Sequence, residues 1–241
     1  MTLAVDHTFL SPNRSVGWLY GLPNKVVIHS TRSGQFGSLW THDKELQATI
    51  NWFLGRNSNA SSNLVISPTQ IVRMVPDEFP SWHAKEHSWQ AYGIEVTQPT
   101  PDTPIEDGHY NLLAKALRHY QTLGVEPVWL PSLTWGDTAS GWIQHLETDQ
   151  GLRDGKSDIG YRLDKTRLLN MIREKQEVDM HLIYFDEAGT KGVYIVGGAG
   201  RKRYVDDLTE LAYFTQKFGP PELVSLAIVN SIPDEPNTHT H

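Results

Sequence analysis

The stretch KVVIHST, residues 25–31, decides the fold. Val26, Val27 and Ile28 form a run of β-branched apolar residues, which predicts a buried strand. His29 follows where this strand should run out into a loop, and two hydroxyl residues come after it. A lone histidine in this position is most often a core or turn residue hydrogen-bonded to backbone. A functional interpretation therefore needs partners elsewhere in the chain.

Composition narrows the class of protein. The net charge of −7 over 241 residues argues against a nucleic-acid-binding protein, which usually carries a basic surface. The chain has no cysteine, so disulfides and thiolate metal ligands are excluded. No apolar run approaches the roughly 18 residues that span a bilayer, and residues 1–15 do not resemble a signal peptide. We therefore expect a protein made in the cytoplasm that does not bind a membrane.

Helical and strand patterns alternate through the first part of the chain. Helices are predicted from THDKELQATINWFLG (residues 41–55), GHYNLLAKALRHYQTLG (108–124) and DKTRLLNMIREK (164–175). Further strands are predicted from SSNLVISPTQIVRMVP (61–76, two strands around a turn), AYGIEVTQ (91–98) and VEPVWLP (125–131). Residues 142–161 read as irregular. The fold class is α/β, a mixed central β-sheet flanked by helices.

The character of the sequence changes near Glu177. Residues 178–234 combine a predicted hairpin, a helix at 205–219 and a strand at 223–233, which indicates a small C-terminal α+β domain. Residues 235–241 are predicted to be a disordered tail. The chain is therefore divided into a domain at 1–177, which carries the candidate site, and a smaller domain that either targets the first domain to its substrate or braces it.

Candidate partners of His29 lie in QHLETDQGLRDGKSDIG, residues 144–160. His145 and Asp158 offer an imidazole and a carboxylate, both of which are good zinc ligands, and catalytic zinc sites use three protein ligands with one open position. Gly151 and Gly155 would allow the intervening chain to fold back. By spacing alone, two histidines and an aspartate would fit many proteins.

The order of several short motifs strengthens this interpretation. VVIHST, SWHAK, YGIEV, QHLE and GKSDIG follow one another over roughly residues 24–164. This ordered set resembles the zinc-dependent N-acetylmuramoyl-L-alanine amidases of type 2, which share a fold with peptidoglycan recognition proteins and include many phage endolysins. The resemblance implies Zn²⁺ as cofactor, bound by His29, His145 and Asp158.

The resemblance also implies roles for residues around the metal. Glu95 corresponds to the catalytic carboxylate, and Lys156 to the charge that stabilises the transition state. His83 falls at the wall of the substrate cleft, where Trp82 is a second candidate for substrate binding because sugar rings stack on aromatic faces. Taken singly, Glu95 could be an ordinary strand residue, Lys156 a surface lysine and Trp82 a core residue.

The sequence departs from the family pattern near the last motif. Gln144 precedes the histidine, Ile159 replaces a proline, and the loop from His145 to Asp158 is a few residues longer. SNLVIS, residues 62–67, lacks the Tyr-His pair that many members carry. These departures put the shape of the site in doubt, but not the types of ligand.

Three functional hypotheses remain at this stage. The favoured one is a zinc amidase that cleaves the bond between N-acetylmuramic acid and L-alanine in bacterial peptidoglycan, acting as a phage endolysin after release from the host cytoplasm. A non-catalytic peptidoglycan-binding protein on the same fold is the alternative. A metal-dependent hydrolase of some other amide is the third.

Overall fold

The computed structural model describes residues 3–32, 40–178, 181–187, 190–196, 202–205, 215–216 and 222–223. The chain divides into two compact units, residues 1–169 and 170–241, each described by itself below. Within the described ranges, no helix is both long and apolar enough to cross a membrane.

Six strands of the first unit form one mixed sheet in the order β1-β4-β3-β5-β2-β6. Central strand β2 is buried along its whole length and pairs in parallel with both neighbours. The strands of this sheet are β1 (His7–Thr8), β2 (Lys25–Thr31), β3 (Leu64–Ile66), β4 (Ile71–Arg73), β5 (Tyr92–Thr97) and β6 (Gly141–Gln144). The predicted mixed α/β architecture is confirmed.

Two of the helices, α1 (His42–Leu54) and α2 (Asp107–Thr122), cover opposite faces of the sheet. The others are α3 (Asp149–Arg153) and α4 (Lys165–Val178), with 3₁₀ turns at Lys85–Trp89, His145–Glu147 and Gly160–Arg162. Leu46, Ile50 and Phe53 of α1 pack with Val65 on the sheet. From α2, Tyr120 stacks on Tyr92 at 4.3 Å between ring centroids. Because side chains alternate across a strand, Tyr92 faces α2, whereas Glu95, which pairs with Val65, faces α1.

Two predictions about this unit were wrong. VEPVWLP contributes only an isolated bridge between Trp129 and Trp142, because Pro127 and Pro131 lack the N–H groups that a longer ladder requires. The stretch read as irregular begins with β6, which forms by pairing with the already buried β2. Its next eleven residues contain a 3₁₀ turn and α3.

The described part of the second unit contains the C-terminal end of α4 and a four-stranded sheet in the order β10-β7-β8-β9. Its strands are β7 (His181–Glu187), β8 (Thr190–Val196), β9 (Lys202–Tyr204) and β10 (Glu222–Leu223). β7 and β8 form the predicted hairpin. Most of the predicted helix at 205–219, most of the strand at 223–233, and the predicted tail at 235–241 lie outside the described residues.

Candidate active site

The sheet brings the candidate residues together at the ends of neighbouring strands. His29 in β2 lies directly opposite Glu95 in β5. Ile28 pairs with Gln144, the last residue of β6, so His145 emerges from the sheet beside His29. Parallel strands end at the same sheet edge, and this register therefore gathers three functional groups from distant parts of the sequence.

His29, His145 and Asp158 form a group that could hold a metal ion. One ligand atom from each lies within 4.8 Å of the others. Nδ1 of His145 is 3.0 Å from Oδ2 of Asp158. Both histidines are 3% exposed. The three residues that the resemblance implied as zinc ligands are thus adjacent.

Hydrogen bonds around His29 indicate which nitrogen faces the metal. Nε2 of His83 lies 3.1 Å from the Ala91 carbonyl, which can only accept, so this nitrogen carries the proton. Nδ1 of His83 is therefore an acceptor, and Nε2 of His29, at 2.9 Å, donates to it. This leaves the lone pair of His29 on Nδ1, available to a cation.

Burial and neighbouring groups favour the neutral imidazoles of His29 and His83. Burial lowers the pKa of His29 well below its usual value, and the charges of His145, His83 and Lys156 lower it further. Burial also lowers the pKa of His83 to about 3, although its contact with the Ala91 carbonyl opposes this. Neutral imidazole is the form that binds zinc.

The residues on either side of Asp158 are held by contacts with Ser30 in β2 and with Arg32, which follows β2. The Ile159 backbone N–H donates to the Ser30 hydroxyl at 3.0 Å. Arg32 donates to the carbonyl of Ser157 at 2.8 Å. Ile159 adopts a φ of +30°, a conformation that a β-branched residue rarely adopts. The proline expected from the family pattern could not donate the bond to Ser30, so isoleucine gives this chain an anchor that proline would lack.

Two glycines shape the loop from His145 to Asp158. A Cβ on Gly151 would lie 1.9 Å from the carbonyl oxygen of His145, so only glycine allows α3 to lie this close to the ligand. Gly155 has a φ of +62° and follows the end of α3. The next residue, Lys156, donates from its backbone to the Gly151 carbonyl, which turns the chain back toward the site.

A cation fits this donor set on its chemistry. Oδ2 of Asp158 is buried and has no hydrogen-bond partner among the described residues. It nevertheless lies 3.0 Å from a nitrogen of His145. A carboxylate oxygen and an imidazole lone pair at this distance require a proton or a cation between them. Two imidazoles and one carboxylate also match the ligand set of catalytic zinc.

Glu95 and Lys156 stand beside this group. Oε2 of Glu95 is buried and, within the described ranges, unpaired. Burial raises the pKa of Glu95 well above its usual value, the Asp158 carboxylate raises it further, and the Lys156 ammonium lowers it. Lys156 is itself exposed and acts on the pKa of both Glu95 and His29, which places its charge within electrostatic reach of the site.

The two predicted substrate-binding residues, His83 and Trp82, differ in their surroundings. His83 contacts His29, as described, and its ring covers the position where a Cβ on Gly93 would project. Trp82 is 38% exposed. Its indole N–H donates to the Ser15 hydroxyl at 3.1 Å. Binding of substrate by Trp82 and by His83 stays a prediction.

Two contacts around the candidate metal ligands, made by Gln150 and Ser30, were not predicted from the sequence. Gln150 lies 2.9 Å from His145, and Ser30 holds the Asp158 loop. Both are common polar residues, and only the folded loop shows what they touch. The position of Gln150 five residues after His145 could have suggested a contact across a turn.

Comparison with known proteins supports the same family. Residues 20–128 match a family model described as N-acetylmuramoyl-L-alanine amidase. This range contains His29 and Glu95 and ends before His145. A stretch of 71 residues is 34% identical to N-acetylmuramoyl-L-alanine amidase A of Achromobacter lyticus; it covers 28% of this chain and 40% of that relative's length.

A solved structure supports the fold. The crystal structure of a selenomethionine derivative of AmpD superposes with a TM-score of 0.52 at 20% sequence identity, over 71% of this chain and 96% of that one. At this identity the likeness concerns the architecture alone.

Proposed function

We propose that the protein hydrolyses the amide bond between N-acetylmuramic acid and L-alanine in peptidoglycan, because residues 20–128 match a family model described as N-acetylmuramoyl-L-alanine amidase. The observation that carries the proposal is the convergence of His29, His145 and Asp158, with ligand atoms within 4.8 Å, beside Glu95. Hydrolysis of an amide by a metal-dependent enzyme uses a cation and a general base, and these residues could supply both.

We propose Zn²⁺ as the cofactor, held by His29, His145 and Asp158. Zinc in such a site lowers the pKa of water toward about 7 and polarises a carbonyl group. The protein supplies two neutral imidazoles and a carboxylate, so the site keeps a net positive charge when the metal is bound.

Glu95 is the proposed general base and acid. Its Oε2, which has no hydrogen-bond partner in the described part of the chain, can accept a proton from the attacking water and pass it to the departing nitrogen of L-alanine. Burial raises its pKa, which makes the ionised carboxylate a stronger base. The positive charge of Lys156 opposes this rise, and a bound cation would oppose it as well, so both favour the ionised carboxylate.

Lys156 is the proposed electrostatic stabiliser. Its ammonium group is exposed and already acts on the pKa of Glu95 and His29. A protonated lysine cannot bind zinc, but it can stabilise the oxyanion that develops on the carbonyl as water attacks.

The test is digestion of purified peptidoglycan. We expect new free amino groups of L-alanine and no new reducing ends, and loss of this activity in His29→Ala, His145→Ala and Asp158→Ala together with loss of bound zinc. New reducing ends without free amines would contradict the proposal. Binding of peptidoglycan without cleavage by the zinc-loaded protein would favour the alternative, a non-catalytic peptidoglycan-binding protein.

We further propose that the enzyme is a phage endolysin, made in the host cytoplasm and acting on the wall after release, as many proteins of the resembled family are. The role of the C-terminal unit, which is either cell-wall targeting or bracing of the catalytic domain, also stays a prediction. Cytoplasmic expression in a bacterium tests the endolysin role, because turbidity should fall only after the inner membrane is permeabilised. Lysis without permeabilisation would argue against it.

A further inference from the structure

A buried glutamine contacts the outer nitrogen of one candidate metal ligand. Oε1 of Gln150 lies 2.9 Å from Nε2 of His145. Gln150 is 2% exposed and His145 3% exposed, so water does not compete for this hydrogen bond. Gln150 belongs to α3, the short helix in the lengthened loop that separates His145 from Asp158.

The orientation of the Gln150 amide is fixed from its other side. Its Nε2 donates to Oδ2 of Asp154. Nζ of Lys85 lies 2.7 Å from the same oxygen. An ionised carboxylate accepts hydrogen bonds and cannot donate them. The amide nitrogen must therefore face Asp154, and the amide oxygen must face His145.

Asp154 is ionised in this arrangement. The hydrogen bond from Lys85 and the charge of that ammonium lower the pKa of Asp154 below its usual value, against a smaller opposing effect of burial. Lys85 and Asp154 are both exposed, so their ion pair adds little stability by itself. Its effect is to orient the amide.

The proton of His145 must then lie on Nε2, because the amide oxygen only accepts. Its lone pair lies on Nδ1, the nitrogen 3.0 Å from Asp158. We propose that Gln150, oriented by Asp154, is a positioning residue that fixes the tautomer and ring orientation of His145 so that Nδ1 faces the metal. The inference rests on the zinc site of the proposed function.

The two imidazole ligands are thus supported in the same way by different groups. His83 and the Ala91 carbonyl fix the tautomer of His29, and Gln150 with Asp154 fixes that of His145. Removal of such an outer partner typically weakens metal binding by about 10–100-fold.

The first test compares zinc affinities by competition with a chelator. Gln150→Leu keeps the size of the side chain but removes the acceptor, and we expect about 10–100-fold weaker zinc binding. The double variant Gln150→Glu/Asp154→Asn exchanges the two groups: the new carboxylate accepts from His145 and from the new amide. We expect it to bind zinc within about threefold of the native protein. Gln47→Leu, on the exposed face of α1, is the matched control and should not change the affinity.

Unchanged zinc affinity in Gln150→Leu, or failure of the exchanged pair to restore it, would overturn the proposal. Nitrogen-15 NMR of the zinc-loaded native protein gives a second answer that needs no variant. The proton of His145 should be found on Nε2 and the metal on Nδ1, and the reverse assignment would overturn the proposal even if Gln150→Leu does not fold. Neither measurement uses peptidoglycan, so failure of the proposed hydrolysis is distinguishable from failure of this inference.

Discussion

Gly93 offers a sharp test of the contact between His83 and His29. A Cβ at this position would lie 2.6 Å from Cγ and 2.8 Å from Cδ2 of the His83 ring. Ordinary carbon contacts are about 3.5–4.0 Å, so in Gly93→Ala the ring must move by about 1 Å. A movement of this size stretches the 2.9 Å bond between His83 and His29 beyond hydrogen-bonding distance.

The expected cost follows from these distances. Overpacking of a well-packed site costs about 1–3 kcal/mol and a lost hydrogen bond about 0.5–1.5 kcal/mol, while removing a strand glycine returns about 0.5–1 kcal/mol. We expect a net loss of about 2 kcal/mol in the free energy of unfolding, or a Tm lower by about 4–8 °C for a domain of this size. Zinc binding should weaken as well, because His29 loses the partner that fixes its tautomer.

The assay is a double-mutant cycle with His83→Ala, measured by thermal and denaturant unfolding. Without the ring, the contacts with Cγ and Cδ2 are removed and only the more distant Cβ of residue 83, at 3.1 Å, remains of the three. Gly93→Ala should therefore cost much less in that background. The coupling between the two sites should be about 1–3 kcal/mol. Additive effects within about 0.5 kcal/mol would refute the reasoning, since they would show that residue 93 and the ring do not touch.

Two further predictions concern the proposed base, Glu95, and a buried histidine outside the proposed metal site, His109. Glu95→Gln should retain zinc and the folded structure but lose about 10²–10⁴ in rate, because an amide cannot accept the proton of water; an unchanged rate would return Glu95 to the status of an ordinary strand residue. Burial, and to a lesser extent the charge of His42, lower the pKa of His109 to about 3. The unfolded chain therefore binds a proton at this residue between about pH 6.5 and 3 that the folded chain does not, so stability should be full above pH 6.5 and fall by up to about 1.4 kcal/mol per pH unit below it. Chemical denaturation across this range, compared with His109→Gln, measures the effect, and identical pH slopes for the two proteins would contradict it.

Local patterns made the elements next to the site predictable. The β-branched run of β2 is buried as predicted, and α1 lies within the predicted segment 41–55, bounded by Thr41 and Gly55. β6 was missed because GWIQ is short and lacks a strand pattern of its own; its structure comes from pairing with β2. An element whose stability depends on a partner distant in the sequence is difficult to predict from the pattern of its own residues.

The same distinction applies to the site. The order of the motifs predicted His29, His145 and Asp158, and the fold brings them together. It could not predict the groups that support them. Ser30 contacts Ile159 across 129 positions of the sequence, and the role of Gln150 depends on which of its amide atoms faces Asp154.

The position of β2 between β5 and β6 has a consequence for folding. His29 comes next to Glu95 only after β2 has paired in parallel with β5. It comes next to His145 only after β6 has paired with the opposite edge of β2. Pairings of such long sequence separation form slowly, because the entropy of loop closure is lost before the contacts are gained. We therefore expect the metal to bind late, to a finished sheet, so that a nascent chain still short of residue 158 has no site to fill. Zinc then favours only complete molecules by mass action and gives no advantage to partly folded ones.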